Sequence, residues 1–110
     1  MARLTDLVEL DGVVLAFEFA PDARLLDHKA NNEISPEMAA QFCASVTMNF
    51  NTLAGAFWKL SNMPWMRQQG WAYSGGEYTV AIGGKGYRGV FIKAAKADFN
   101  RLFQMLLENS

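Results

Sequence analysis

Hydrophobic and polar positions fall into short blocks along the chain, and each block predicts an element. Residues 3–9 place Leu4, Leu7 and Val8 on one side of a short helical turn. After Asp11-Gly12 comes VVLAFEFA, with Val13, Leu15, Phe17 and Phe19 on one face of a strand and Val14 and Ala16 on the other. A strand that is apolar on both faces is expected to be covered on both. Pro21-Asp22-Ala23 turns the chain, and RLLDHK (24–29) returns as the more polar partner of a hairpin.

Ser35-Pro36-Glu37 is a strong helix start. Serine caps the free N–H groups, proline at the first helical position has no N–H to leave orphaned, and glutamate complements the dipole. The helix is expected to run to about Asn62, because Pro64 makes continuation costly. Within it Met38, Phe42, Val46, Phe50, Leu53, Phe57 and Leu60 fall three or four apart and form one stripe. The remaining face is not charged either: between Glu37 and Arg67 only Lys59 is ionised. A surface helix of that length ordinarily shows several Glu and Lys.

Beyond Pro64-Trp65 the pattern becomes strand-like again. QGWAYS offers Trp71 and Tyr73 on one face, Gly75-Gly76 turns, and EYTVAI alternates through Tyr78, Val80 and Ile82. YRGVFIK supplies a fifth strand. Asp98 then caps a final amphipathic helix carrying Phe99, Leu102, Phe103, Leu106 and Leu107.

Bulk properties narrow the function classes. The chain has 110 residues, the size of one domain spanning 1–110, and a formal net charge of −1. With 10 basic against 11 acidic side chains there is no excess to neutralise a run of phosphates, so nucleic acid is not an expected partner. One Cys and one His cannot ligate a structural zinc within the chain, and no other cofactor or catalytic constellation is indicated. No apolar run reaches membrane-span hydrophobicity, and MARLTDLVELDG carries acids through its apolar stretch, unlike a leader. A cytoplasmic protein is expected. Charged residues make up 19% where about 25% is usual, which fits either a tightly filled core or apolar surface covered by a second chain.

One stretch imitates a cofactor motif. GKGYRG (84–89) spells the dinucleotide fingerprint, but that loop needs a helix opening within it and a parallel strand beyond. GVFIKA is aromatic and β-branched, and too little chain remains beyond it for a crossover. A hairpin turn built on glycines is the expected form, with Gly89 marking a bulge or close packing. Cys43 beside Phe42 reads as a small buried side chain, and His28 between Asp27 and Lys29 as a solvated one. Asp22, Asp27 and Glu33 are acids where turns commonly carry them.

With the doubly apolar strands one and five in the centre, the hairpins give the order 2-1-5-4-3. This is an α+β fold, an α/β/α sandwich with a five-stranded antiparallel sheet, one long helix on one face and the terminal helices on the other. The succession LDGVVLAFEFAPDARLL, the helix opened by SPEMAAQF, and YTVAIGGKGYRGVFI before the last helix resemble the roadblock (dynein light-chain) superfamily of profilin-like folds. The likeness is strongest to an uncharacterised bacterial and archaeal family of that type. Where roadblock proteins commonly carry Asp-Gly in the first hairpin turn, Asp22 is here followed by Ala23. The resemblance implies a homodimer or heterodimer in which third strands pair edge to edge and long helices pack together. It also implies scaffolding or regulation, often of small GTPases, rather than catalysis.

The uncharged long helix and the thinly guarded third strand agree with that implication, since an unprotected edge is a pairing site. A two-fold dimer using Met48, Thr52, Trp58, Trp71 and Tyr73 is therefore expected, serving as an interaction module that docks a small GTPase or a multi-subunit enzyme. Two other readings stay open on sequence alone: a small-ligand sensor of similar sheet order, and an enzyme using Cys43 or Lys85.

Overall fold

A computed structural model describes residues 3–30, 34–64, 70–83 and 87–107. In chain order the elements are α1 (Leu4–Val8), β1 (Val13–Phe19), β2 (Leu25–Ala30), α2 (Pro36–Ser61), β3 (Trp71–Gly75), β4 (Tyr78–Gly83), β5 (Arg88–Lys93), a 3-10 turn (Ala94–Lys96) and α3 (Phe99–Leu107). The five strands form one sheet in the order β2-β1-β5-β4-β3, and every described neighbour pair is antiparallel. This is the order expected from placing the doubly apolar strands centrally.

Each face of the sheet has its own core. Leu15, Phe17, Phe19, Val80 and Ile82 pack under α2 with Ala39, Ala40, Cys43 and Ala44. On the other face Ala16, Ala81, Val90 and Ile92 meet Leu4 and Leu7 of α1 and Leu102 and Leu106 of α3. Val13 departs from simple alternation: it joins the second core, away from Leu15. A register shift between Val13 and Leu15 in the β1–β5 pairing is the cause, since an extra residue reverses which face a side chain takes.

The caps behave as their chemistry dictates. Ser35 Oγ accepts the Met38 N–H at 3.3 Å, and α2 ends at Asn62, which takes the left-handed conformation with φ 56°. Asp98 accepts the Arg101 N–H at 3.2 Å at the start of α3. At the far end of α3, the buried Arg88 of β5 donates to the carbonyls of Leu106 (3.3 Å) and Met105 (3.4 Å). A cation there complements the negative end of the helix dipole and ties α3 to the centre of the sheet.

The GKGYRG segment joins two adjacent antiparallel strands, with Gly83 opposite Arg88 in register and the Tyr87 N–H bonded to the Gly83 carbonyl at 3.1 Å. Residues 84–86, including Lys85, lie outside the described residues, as do Glu33 and Trp65. From Arg88 the chain continues directly as β5, with no helix opening, so the dinucleotide reading fails for the reason given by the sequence. At Gly89 an added Cβ would overlap Ile82 Cδ1 and stand 2.8 Å from the Ala81 carbonyl oxygen. Close packing, rather than a bulge, is what this glycine serves.

Candidate interaction surface

The stripe of large side chains along α2 is not what the sheet covers. The buried side of the helix is Ala39, Ala40, Cys43, Ala44 and Thr47, none larger than threonine. Small residues let the helix approach closely, and the volume between is filled from the sheet by Phe17, Phe19 and Leu15. Of the stripe, Val46 is packed partly against this core and Phe50 lies over its rim at Trp71. Met38, Phe42, Phe50, Leu53, Phe57 and Leu60 are exposed, Leu60 to 88% and Met38 to 70%.

Two physical circumstances produce this surface. The first is length. A 26-residue helix runs about 39 Å, more than the sheet beneath it can cover. Three- and four-residue steps from Cys43 and Thr47 along the sheet-facing side lead to Phe50, Ala54, Phe57 and Trp58, yet Phe50, Phe57 and Trp58 are exposed. The helix has run past its support. The second is the flank: Met38, Phe42, Leu53 and Leu60 stand off the sheet-facing side, where the chain supplies nothing to cover them among the described residues.

A buried contact ties the middle of α2 to the edge of the sheet. The Trp71 indole N–H donates to Thr47 Oγ1 at 2.9 Å, both groups buried, and the Phe50 ring tilts over Trp71 with centroids 5.6 Å apart. β3 is the edge of the sheet and pairs only with β4 in the described order. Four of the five expected interface residues, Met48, Thr52, Trp58 and Tyr73, therefore stand exposed on α2 and β3, while Trp71, 7% exposed, lies beneath them and supports the surface from within. The sequence reading missed Met38, Phe42, Leu53, Leu60 and Met63 as surface residues. The signal was present in the poverty of charge on every side of the helix.

The residues considered for chemistry are engaged elsewhere or unsuited. Cys43 is fully buried, and burial pushes its thiol up to about 12, so no thiolate is available near neutrality. His28 is exposed on β2. Asp22 holds its turn: its carboxylate accepts the backbone N–H of Arg24 (3.2 Å) and the Arg24 guanidinium (2.9 Å), and these bonds lower its pKa. Among the described residues no group of three His, Cys, Asp or Glu is placed to hold a metal, and no helix is long and apolar enough to cross a membrane. Beside α2, a groove of about 410 Å³ is lined by Pro21, Ala44, Thr47, Met48, Asn51, Thr52 and Tyr87, without a charged group.

The sheet order and the single long helix define a roadblock-type, profilin-like fold. The chain belongs to the family described as uncharacterized conserved protein (DUF2173), whose model matches residues 3–108. No curated protein matches it significantly. Solved structures of similar fold include MglB of Myxococcus xanthus, with a TM-score of 0.65 and 14% identity over 83% of this chain and 72% of that one. The gliding protein MglB of Thermus thermophilus superposes with a TM-score of 0.66 and 16% identity over 86% and 70%. A structure described as MglB with tetrameric arrangement gives 0.67 and 17% over 90% and 73%. At these identities the likeness is one of fold.

Proposed function

We propose that this chain, folding as a single domain, is a non-catalytic, homodimeric interaction module that acts as a scaffold or regulator for a further protein. A small GTPase is the partner class the roadblock resemblance implies. The observation that carries the reading is the uncovered apolar surface of α2 and β3. The accessible surface is 6809 Å² for 12.2 kDa, where a compact monomer of that mass exposes about 6,100 Å². Contiguous apolar patches of more than a few hundred Å² mark interaction sites on soluble proteins.

In this arrangement Met48, Thr52, Trp58 and Tyr73 contact the second copy, and Trp71 holds Phe50 and α2 in place below them. The β3 edges, which carry Tyr73 and few charges, pair across the two-fold. The tetrameric arrangement of one structural neighbour is consistent with self-association in this fold. Sedimentation equilibrium at micromolar concentration tests the reading: a dimer is expected, and a monomer refutes it. Trp58→Glu with Tyr73→Glu then shifts the species to monomer while circular dichroism at 222 nm stays unchanged.

A second reading, a small-ligand sensor, is favoured by the neutral groove beside Thr47 and Asn51, whose volume falls in the range of ligand sites. A thermal shift with an uncharged metabolite, lost on Asn51→Leu, would promote it.

A further inference from the structure

Beyond Phe50, α2 has neither a body to rest on nor a sequence suited to standing alone. Its buried residues end at Thr47, and Phe50 leans on Trp71. From Thr52 to Ser61 no side chain is buried, and only Ala54 is half-covered. Gly55 stands in the middle of this overhang. A Cβ added there would meet no described atom within 4 Å beyond its own turn of helix, and its φ is not positive. Neither crowding nor backbone geometry asks for glycine here, in contrast to Gly12 and Gly89. Glycine in a helix interior nonetheless lowers the helical equilibrium about fivefold relative to alanine. Its neighbours add to the weakness, since Asn51, Thr52, Phe57, Trp58 and Ser61 are modest helix formers. Thr52 and Ser61 also turn their hydroxyls back onto the carbonyls of Met48 (3.1 Å) and Phe57 (2.6 Å), bonds that bend and slightly destabilise a helix. Lys59 in the last turn and the left-handed Asn62 cap favour the helical form, but both act within the helix itself.

We propose that α2 folds in two stages: residues 36–50 order with the sheet, residues 52–61 order only when a partner closes on them, and Gly55 sets how much of the helical end exists beforehand. The inference rests on the dimer reading above for the identity of that partner, and adds to it a cost of ordering. A helix end without tertiary contacts gains about one hydrogen bond for each residue it fixes, a near-balanced exchange even for good helix formers. The overhang falls below that balance at Gly55. Docking supplies what is missing. Leu53, Phe57 and Leu60, all exposed, share one side only while the segment is helical, so a partner that covers them selects the helix. Apparent affinity is then reduced by the fraction of helical end present in the free chain. A dimer has two such ends, so the fraction enters twice. The weak end thereby keeps a large apolar contact reversible.

Hydrogen exchange read by mass spectrometry tests this on the monomer, obtained by dilution or as a Tyr73→Glu protein, and on the dimer. In the monomer, amides of residues 56–61 are expected to exchange roughly a hundredfold faster than those of residues 40–50, and to slow about tenfold or more on dimerisation. Gly55→Ala should slow exchange of the monomer's helix end about fivefold and tighten the dimer about 25-fold, the fivefold counted once for each copy. Ala56→Gly should do the reverse. Neither substitution should move the urea midpoint of the monomer or the exchange of residues 40–50, because an end already frayed contributes nothing to global unfolding. A rigid helix gives another pattern: end amides as protected as those of residues 40–50, and both substitutions shifting the monomer's urea midpoint. That pattern, or a dissociation constant indifferent to both substitutions, overturns the two-stage helix and leaves the dimer reading standing. A wild type that stays monomeric at every concentration sinks the dimer reading, and there the exchange of the end amides alone upholds or overturns the frayed end.

Discussion

Replacing Thr47 by valine isolates the buried polar bond between α2 and the sheet edge. The two side chains have nearly the same shape and both are β-branched, so helix propensity changes little. What is lost is the acceptor for the Trp71 indole N–H, now 2.9 Å from Thr47 Oγ1 in a site where Thr47 is 1% exposed. Leaving a buried donor without its acceptor costs about 1–3 kcal/mol. The gain from an extra buried methyl offsets part of that, and a net loss of about 1–2 kcal/mol is expected. For a domain of this size the total stability is roughly 5–15 kcal/mol, so the change is visible as a fall in melting temperature of about 4–10 °C. Urea unfolding followed at 222 nm, at fixed protomer concentration because dimerisation contributes to apparent stability, is the assay. Trp71→Phe removes the donor from the other side, and the double variant should be less destabilised than the sum of the singles by about 1 kcal/mol. Additive singles, or a Thr47→Val protein as stable as wild type, would show that the bond does not hold α2 to β3.

Other substitutions probe single positions. Ala23 sits at φ 77° in the first hairpin turn, a conformation that costs a residue with a Cβ about 1–2 kcal/mol. Ala23→Gly should stabilise by about 0.5–1 kcal/mol after the greater unfolded freedom of glycine is counted, and an unchanged urea midpoint would mean the turn relaxes at no cost. Gly89→Ala forces a Cβ into Ile82 and the Ala81 carbonyl and should destabilise by about 3 kcal/mol or more, since backbone cannot yield as a side chain does; a soluble, equally stable variant would contradict that packing. Cys43 keeps its proton in the fold up to about 12, well above the ordinary thiol value of 9.0, so the folded state binds a proton that the unfolded state has lost. Stability should therefore fall as pH rises through that window, and Cys43→Ala should remove this part of the slope. An identical slope in the two proteins would assign it to other groups.

The sheet was readable because its central strands carry apolar residues on both faces, and strand position follows from that alone. The start of α2 was readable because Ser35, Pro36 and Glu37 each supply a different stabilising device at the position where it acts. The orientation of α2 was not readable. Large side chains dominate any hydrophobic pattern, whereas the buried face here is made of alanine, cysteine and threonine, whose packing value comes from smallness. Val13 was placed on the wrong face because a strand bulge leaves no mark in an unbroken apolar run. Trp71 illustrates the reverse difficulty. Its place on an edge strand made it look available, and only the hydrogen bond to Thr47 shows that its ring turns inward.

The shallow underside of α2 has a mechanical consequence. With only small side chains beneath it, the helix is held by shape from the other side: Phe17 and Phe19 rise from the sheet against Ala39, Ala40, Cys43 and Ala44. The hydrogen bond from Trp71 to Thr47 adds a directional pin to that contact, like a peg in a rail, at the point from which the helix runs on beyond the sheet.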